Sequence, residues 1–241
     1  MIDFHCHLDL YHNPMEVFDE VNKRHTEVLA VTTSPRAFIR TSQHFFESSH
    51  VRVALGFHPE LISQRPAEKE LFFEQLKSAR FVGEIGIDGS QRMKESFHEQ
   101  KAFFNDAIHA ASIYGGKILS IHSRGAAKDV LQILEKNEGS YVPILHWFTG
   151  SIKEAEKAIE LGCWFSINPN MCYTSSGRKI ISCIPIERML PETDAPFTQK
   201  TDKPYMPWDM TVDSYLANEH NMSIDVMNSL LLDNLQKLEK T

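Results

Sequence analysis

Short apolar segments alternate with amphipathic segments along the chain from residue 2 to about residue 196. The apolar segments are rich in Val, Ile and Phe and have the length of buried strands; they are 2–7, 27–33, 51–58, 81–88, 117–123, 141–148, 163–169 and 188–196. Between them, apolar residues recur three and four positions apart, as in helices with one buried face; these segments are 14–24, 35–49, 69–79, 96–114, 126–137, 152–161 and a shorter one at 175–183. The alternation predicts an α/β protein with parallel strands.

Eight strand–helix units with right-handed crossovers favour a closed (β/α)8 TIM barrel, and the alternative is an open doubly wound sheet. The length of 241 residues suits a barrel, because such barrels commonly run to about 250 residues as one unit. Residues 223–240 have the pattern of a last helix, which we expect to pack on the outside of the barrel. Residues 197–210 are expected to form a loop over the barrel mouth. We therefore predict a single domain over residues 1–241.

Ser34 precedes Pro35, and Ser151 lies three residues before Glu154. Both patterns are typical of helix starts, because a serine hydroxyl accepts a hydrogen bond from a free backbone N–H of the first turn. They predict helices that begin directly after Ser34 and Ser151.

Composition limits which binding partners and which cellular compartment are expected. A net charge of −7 disfavours nonspecific binding to a long nucleic-acid duplex, which usually needs a basic domain; bound metal ions are another source of positive charge. No apolar stretch approaches the roughly 18 residues of a membrane-spanning helix, and no signal segment opens the sequence, so we expect no membrane partner and a cytoplasmic location. Four irregularly spaced cysteines are predicted to be buried free thiols; they are Cys6, Cys163, Cys172 and Cys183.

Residues that commonly bind metals lie at or next to the ends of the predicted strands. They are His5, His7, His58, Glu84, His122, His146 and Asp194. The other seven histidines lie in predicted helices or loops and are interpreted as surface residues. Since the carboxyl ends of all strands of a parallel barrel meet at one face, where active sites are built, we expect the strand-end residues to converge.

His5 and His7 are spaced like residues on the same side of a strand, so both imidazoles can face the barrel axis and bind one metal, while Cys6 faces the helices. The alternative is that two histidines are merely tolerated near a terminus. Glu84 lies within an otherwise apolar strand, where an unpaired carboxylate costs several kcal/mol. Either it bridges two cations roughly 3.5–4 Å apart, or it pairs with a buried Arg or Lys.

His122 and His146 each end an apolar strand. Either one alone is more typical of a hydrogen-bonded core histidine, but together with the other residues they indicate metal ligands. Asp194 follows the eighth strand, where a carboxylate often binds metal and accepts a proton from bound water; the alternative is a turn aspartate. His58 is either a core histidine or a contact to a substrate phosphate or leaving group. Arg124 either holds a phosphate by a bidentate contact or is a surface charge.

Two further acidic residues lie close to these candidates in sequence. Asp9 either orients a metal ligand or forms a turn that leads to a helix. Asp88 is predicted to orient a loop.

Seven ordered motifs resemble those of the TatD-related deoxyribonuclease family, which contains metal-dependent hydrolases with a TIM-barrel fold. The motifs are FHCHLD from Phe4, GFHP from Gly56, GEIGID from Gly83, FHEQ from Phe97, HSR from His122, HWFTG from His146 and ETDAP from Glu192. The resemblance covers about residues 2–198 and thins towards Asn234 in the last helix.

The resemblance implies two divalent metal ions, Mg, Mn or Zn. His5, His7 and Asp194 would hold one ion, His122 and His146 would hold the other, and Glu84 would bridge them. It also implies phosphodiester hydrolysis of DNA by two-metal activation of a water, with single strands or strand ends as the expected substrate. We predict catalytic roles for Asp194, Glu84 and His58, and substrate contacts from His58 and Arg124.

The sequence departs from the usual family pattern at positions expected to touch substrate, among them Gly89, Gly125 and 203–207. The resemblance therefore supports the family's metal chemistry in this chain more directly than it supports the family's preference for DNA. This short form also resembles the TatD-like subunit of the Qat anti-phage defence systems, which implies other subunits of such an operon as partners. Two alternatives remain open: an amidohydrolase-type enzyme acting on a small amide or phosphotriester, and a nucleic-acid-binding subunit with little turnover.

Overall fold

The computed structural model describes all 241 residues, and its eight parallel strands form a (β/α)8 TIM barrel, as predicted. The strands are β1 (Ile2–Cys6), β2 (Glu27–Val31), β3 (Val51–Ala54), β4 (Phe81–Gly86), β5 (Lys117–His122), β6 (Tyr141–His146), β7 (Trp164–Ile167) and β8 (Met189–Pro191). They pair in chain order as β1–β2–β3 and as β4 to β8. A backbone bridge between Leu55 and Val82 joins β3 to β4. The Asp194 N–H donates to the His5 carbonyl (2.8 Å), which joins the chain after β8 to β1.

The helices surround the strands. They are α1 (Pro14–Arg24), α2 (Pro35–Phe45), α3 (Pro59–Ile62), α4 (Glu68–Leu76), α5 (Phe97–Tyr114), α6 (Ala127–Lys136), α7 (Ile152–Glu160), α8 (Pro169–Tyr173), α9 (Ser175–Ile181), α10 (Thr211–Glu219) and α11 (Ile224–Glu239). Both predicted helix starts are confirmed. Ser34 caps α2 by accepting a hydrogen bond from the Ala37 N–H (3.2 Å), and Ser151 forms a capping box with Glu154 at α7.

Helix α11 packs on the outside of the barrel beside β8. Its residues Met227, Leu231 and Leu235 are buried in the main hydrophobic core. Asn234 is also fully buried, and its side-chain amide donates to the carbonyls of Ile186 (2.8 Å) and Met189 (3.0 Å). This polar contact fixes the last helix against the start of β8.

The structure differs from the expectations in the segment after β8 and at the ends of two strands. Residues 197–210 include a short antiparallel hairpin, β9 (Gln199–Lys200) and β10 (Lys203–Pro204), and α10 follows as a helix that the sequence did not predict. Strands β3 and β8 end several residues earlier than expected, because the chain turns there towards His58 and Asp194.

Two expectations that came from composition are also addressed by the structure. All four cysteines are free, but Cys183 is only partly buried, which corrects the expectation that all four are buried. None of the helices combines the length and the apolar character that crossing a membrane requires.

Candidate metal centre

Glu84 lies at the centre of the carboxyl-end face of the barrel and is almost fully buried. Its two oxygens face different imidazoles. Oε2 lies 3.6 Å from His7 Nε2 and 3.8 Å from His5 Nε2, whereas Oε1 lies 2.6 Å from His122 Nδ1 and 2.9 Å from His146 Nε2. One carboxylate therefore stands between two sets of nitrogen ligands, as a group that bridges two cations does.

The first set is built on β1 and the chain after β8. His5 belongs to β1 and His7 follows it, so strand alternation directs both rings to the barrel interior, while Cys6 packs with the α1 side of the core. Asp194 Oδ1 lies 3.5 Å from His5 Nε2 and 3.4 Å from His7 Nε2. His5 Nδ1 hydrogen-bonds with Ser120 Oγ (2.7 Å), which leaves Nε2 directed at the two carboxylates.

The second set is built on β5 and β6, and His58 from the chain after β3 lies beside it. His122 ends β5 and His146 ends β6, and His58 Nε2 lies 3.6 Å from Glu84 Oε1. Gly86 (φ 144°) allows β4 to approach β5 closely here, because a Cβ at this position would lie 2.0 Å from the His122 carbonyl oxygen. The close approach brings the His122 ring against Glu84.

The donor atoms fit divalent cations. His5 Nε2 is buried and has no hydrogen-bond partner, although it points between two carboxylates. Ligand atoms of His5, His7 and Glu84 lie close enough together to hold one ion, and so do those of His58, Glu84 and His122. Imidazole nitrogens with carboxylate oxygens are typical ligands of Zn, Mn and related ions.

Burial and the neighbouring charges shift the pKa values of the site residues in different directions. Burial lowers the pKa of His5 well below its ordinary value, and the neighbouring His146 lowers it further. Burial alone would raise the pKa of Glu84, but the imidazoles of His58, His146 and His122 hold it well below its usual range. Burial also opposes the charge on His7, yet hydrogen bonds to Asp194 and Glu84 outweigh it and raise the pKa of His7 to about 9. Glu84 is thus ionised beside imidazoles, and His7 has to give up its proton when it binds a cation.

Sequence reasoning missed two residues that support the ligands. Asp3 is fully buried and accepts hydrogen bonds from the Thr193 N–H (2.9 Å) and hydroxyl (2.6 Å), directly beside Asp194. Glu192 Oε1 lies 3.5 Å from His146 Nδ1, and the other Glu192 oxygen accepts a hydrogen bond from Ser166. Their presence as acidic residues in strongly apolar segments was the available signal.

Asp88 and Asp9 differ in their relation to the site. Asp88 Oδ1 accepts a hydrogen bond from the Ser90 N–H (2.7 Å), consistent with orienting the loop, and Oδ2 also lies 3.2 Å from His122 Nε2. Asp9 lies in a turn (Leu8–Leu10), and its carboxylate accepts a hydrogen bond from the Thr41 hydroxyl (3.3 Å).

Arg124 is the one predicted site residue that the structure does not bring into the cluster. Its side chain is exposed, and its backbone carbonyl accepts a hydrogen bond from the Gly89 N–H (2.7 Å). A substrate contact from its guanidinium stays a prediction.

A TIM barrel whose strand ends carry this set of histidines and carboxylates has the architecture of a metal-dependent hydrolase. The family model described as TatD related DNase matches residues 2–240, and the chain belongs to the TatD family.

Relatives match the chain over almost its full length. An uncharacterized metal-dependent hydrolase of Buchnera aphidicola subsp. Baizongia pistaciae is 28% identical, with 99% of this chain and 95% of the relative covered. Human deoxyribonuclease TATDN3 is 24% identical, with 99% and 94% covered. The crystal structure of YjjV, a TatD homolog from Escherichia coli K12, superposes with a TM-score of 0.87 at 22% identity and covers 100% of this chain and 98% of that chain. This last similarity bears on the fold alone.

Proposed function

We propose that this TatD-family hydrolase cleaves phosphodiester bonds in DNA, at single strands or strand ends. The observation that carries the proposal is the position of Glu84, whose two oxygens face separate imidazole sets. An arrangement of this kind suits two cations held side by side, which is the geometry that phosphodiester hydrolysis uses to stabilise both the attacking and the leaving oxygen. The name of the human relative, a deoxyribonuclease, supports DNA as the substrate.

The ligand sets divide between the two ions. His5, His7 and Asp194 would hold one, His122 and His146 would hold the other, and Glu84 would serve both. When bound, the ions supply Lewis-acid activation of a water near neutral pH and neutralise charge on the phosphate. Asp194 would accept the proton of that water; its side chain is 10% exposed, and Oδ1 lies beside the Nε2 atoms of His5 and His7.

His58 has the most exposed ring of the five imidazoles, at 16%. Its Nδ1 accepts a hydrogen bond from the Glu60 N–H (3.2 Å), so the proton of the neutral ring lies on Nε2. That Nε2–H is directed towards Glu84 and is available to donate to a phosphate oxygen or to the leaving oxygen. His58 therefore serves as substrate contact and proton donor.

The test compares His5→Ala and Glu84→Ala with two matched controls. His98→Ala and Glu70→Ala make the same changes at exposed positions outside the histidine and carboxylate cluster. With Mn²⁺ or Mg²⁺ present, the site variants should lose at least about 100-fold in cleavage of a labelled oligonucleotide, while the controls keep wild-type activity and all four keep the wild-type circular dichroism spectrum. Undiminished cleavage by the site variants would contradict the proposal.

A substrate panel separates the proposal from the amidohydrolase alternative. Many amidohydrolase-type enzymes bridge their metals with a modified lysine, whereas a glutamate stands between the ligand sets here. Oligonucleotides should therefore be cleaved faster than small amides or phosphotriesters. Preference for an amide or a phosphotriester would favour the alternative.

We also propose that the chain works with other subunits of an anti-phage defence operon. The proposal rests on the resemblance to the TatD-like Qat subunit and on the altered mouth, where Tyr173 and Phe197 are both more than 60% exposed. Exposed aromatic residues of this kind are common at protein interfaces. Cleavage that rises when neighbouring gene products are added would support this proposal, and full activity of the purified chain without any binding to them would contradict it.

A further inference from the structure

A cavity of about 500 Å³ lies between the chain after β1 and helix α2. Leu10 and Met15 line it from the chain after β1 and the start of α1, and Arg40 lines it from α2. Thr33 and Ala37 also belong to the lining, which extends to His44 near the end of α2. We refer to this cavity as the α2 pocket.

The α2 pocket is continuous with the metal centre through the backbone. Leu10 follows His7 by one turn, and the Leu10 N–H donates to the His7 carbonyl (2.9 Å). The Thr33 carbonyl, which also lines the pocket, accepts a hydrogen bond from the His58 N–H (2.9 Å). Two lining residues are thus hydrogen-bonded through the backbone to two residues of the proposed site.

Arg40 supplies the positive charge in the pocket that is available to bind an anion. Arg65, which also lines it, lies 3.6 Å from the buried carboxylate of Glu68 and donates to Ser34 Oγ (3.4 Å). Arg40 is exposed, and none of its nitrogens lies within 4.0 Å of a carboxylate oxygen. Asp9, the acidic residue of the lining, accepts a hydrogen bond from the Thr41 hydroxyl (3.3 Å); burial raises the pKa of Asp9, and the charge of Arg40 is one of the influences that oppose this. A guanidinium without an ion-pair partner is suited to a phosphate, which it binds through two parallel hydrogen bonds.

The pocket also has apolar side chains that are open to solvent. Leu10 and Met15 are 43% and 44% exposed. A lining that combines these two apolar side chains with an arginine suits a nucleotide unit, whose base and sugar are largely apolar on their faces and whose phosphate is anionic.

We propose that the α2 pocket binds the nucleotide unit adjacent to the scissile phosphodiester and that Arg40 binds the phosphate of this unit. The inference rests on the proposed function and assigns part of its substrate specificity. Arg40 then contacts a second phosphate, which is present only in substrates that contain more than one phosphate. A substrate with a single phosphodiester and no neighbouring phosphate makes no contact with Arg40.

The experiment compares Arg40→Gln with Arg36→Gln. Arg36 lies on the same helix but outside the pocket, where it is 72% exposed and 3.8 Å from Glu68. Two substrates are used: a short oligothymidylate and bis(p-nitrophenyl) phosphate, which has one phosphodiester and no other phosphate. Arg40→Gln should lower kcat/KM for the oligothymidylate about tenfold, mainly through KM, and should change hydrolysis of bis(p-nitrophenyl) phosphate less than about twofold. Arg36→Gln should leave both unchanged.

A binding measurement gives a readout that does not depend on turnover. Fluorescence anisotropy of labelled oligothymidylate is measured against salt concentration in an Asp194→Asn background with Mn²⁺ present. Loss of one phosphate contact to a single strand should reduce the slope of log affinity against log salt by about 0.7 for Arg40→Gln but not for Arg36→Gln. Ala37→Leu, which fills the pocket from the same helix, should weaken binding without changing hydrolysis of bis(p-nitrophenyl) phosphate.

The outcomes separate the two proposals. Wild-type hydrolysis of both substrates, with Arg40→Gln equal to Arg36→Gln in kinetics and in salt slope, overturns the α2 pocket proposal and leaves the hydrolase function standing. Wild-type failure on both substrates overturns the proposed function. In that case, a smaller salt slope for Arg40→Gln alone still supports the pocket as a nucleotide-binding site.

Discussion

Asp3 binds both donors of Thr193: one carboxylate oxygen accepts the Thr193 backbone N–H at 2.9 Å, and the other accepts the hydroxyl at 2.6 Å. The next residue, Asp194, has a left-handed backbone (φ 55°) and donates its own N–H to the His5 carbonyl (2.8 Å). The carboxylate that we assign to proton transfer is therefore held by a buried side chain of the first strand.

Thr193→Val should reduce both stability and turnover. The substitution keeps the shape of the side chain but leaves a buried carboxylate oxygen of Asp3 without its donor, which costs roughly 1–3 kcal/mol in the free energy of unfolding. Because Asp194 shifts with its neighbour, kcat should fall more than KM rises. Urea denaturation and steady-state kinetics measure the two effects, and Thr193→Ser, which keeps the hydroxyl, should restore most of both. Equal behaviour of the Val and Ser variants would argue against this positioning role.

Removal of divalent cations should lower the thermal stability of the chain. The site gathers buried carboxylates and imidazoles, including the unpartnered His5 Nε2, and a ligand that binds only the folded state raises the melting temperature by mass action. Differential scanning calorimetry with EDTA should give a Tm lower by several degrees, on the order of 1–3 kcal/mol in stability, and added Mn²⁺ or Zn²⁺ should restore it. His5→Ala should show a much smaller response to metal, whereas the exposed-site control His98→Ala should respond like the wild type. If the Tm of the wild-type chain changed neither with EDTA nor with added metal, the result would contradict the proposed metal centre.

Asp88→Asn should weaken metal binding. The Asp88 carboxylate lies 3.2 Å from His122 Nε2 and so orients the ring whose Nδ1 faces Glu84. Loss of a carboxylate that orients a histidine ligand typically lowers metal affinity about 10–100-fold. Isothermal titration calorimetry with Zn²⁺ measures the change, with Asp106→Asn on the exposed face of α5 as the control. Unchanged affinity in Asp88→Asn would limit Asp88 to its contact with the Ser90 backbone.

Asp213 should make stability depend on pH. Burial raises the pKa of this α10 carboxyl to about 6, and Oδ2 has no hydrogen-bond partner. The folded state therefore holds the proton more tightly than the unfolded state, so this residue's contribution to stability falls as the pH rises from about 4 through about 6. Asp213→Asn should consequently gain roughly 2–3 kcal/mol relative to wild type between pH 4 and pH 7.5.

Chemical denaturation at both pH values measures this change, and Asp19→Asn at an exposed position of α1 provides the control. If the difference between Asp213→Asn and wild type were the same at pH 4 and pH 7.5, the carboxyl would titrate normally.

The sequence predicted the barrel and the convergence of the candidate ligands because both follow from local rules. Strand alternation put His5 and His7 on one side of β1, and a carboxylate in the apolar β4 segment required partners, which the structure supplies as imidazoles rather than as Arg or Lys. These inferences needed only the direction in which side chains leave a strand.

The remaining parts of the site depend on distances between segments that no local pattern encodes. The roles of Asp3 and Glu192 require knowing how the start of β1 lies against the chain after β8. The α2 pocket likewise exists only because Leu10 and Arg40 belong to segments that the barrel brings together. Helix α10 was not predicted because its sequence pattern is weak: only a few of its residues are buried, among them Val212 and Leu216.

The junction between the first strand and the chain after the last has a bearing on biosynthesis. His5 and His7 leave the ribosome before Thr193, which anchors Asp3, and before Asp194. A nascent or prematurely terminated polypeptide that stops before this point holds an incomplete ligand set and an open barrel. Hydrolytic activity is therefore expected only of chains that extend beyond Asp194.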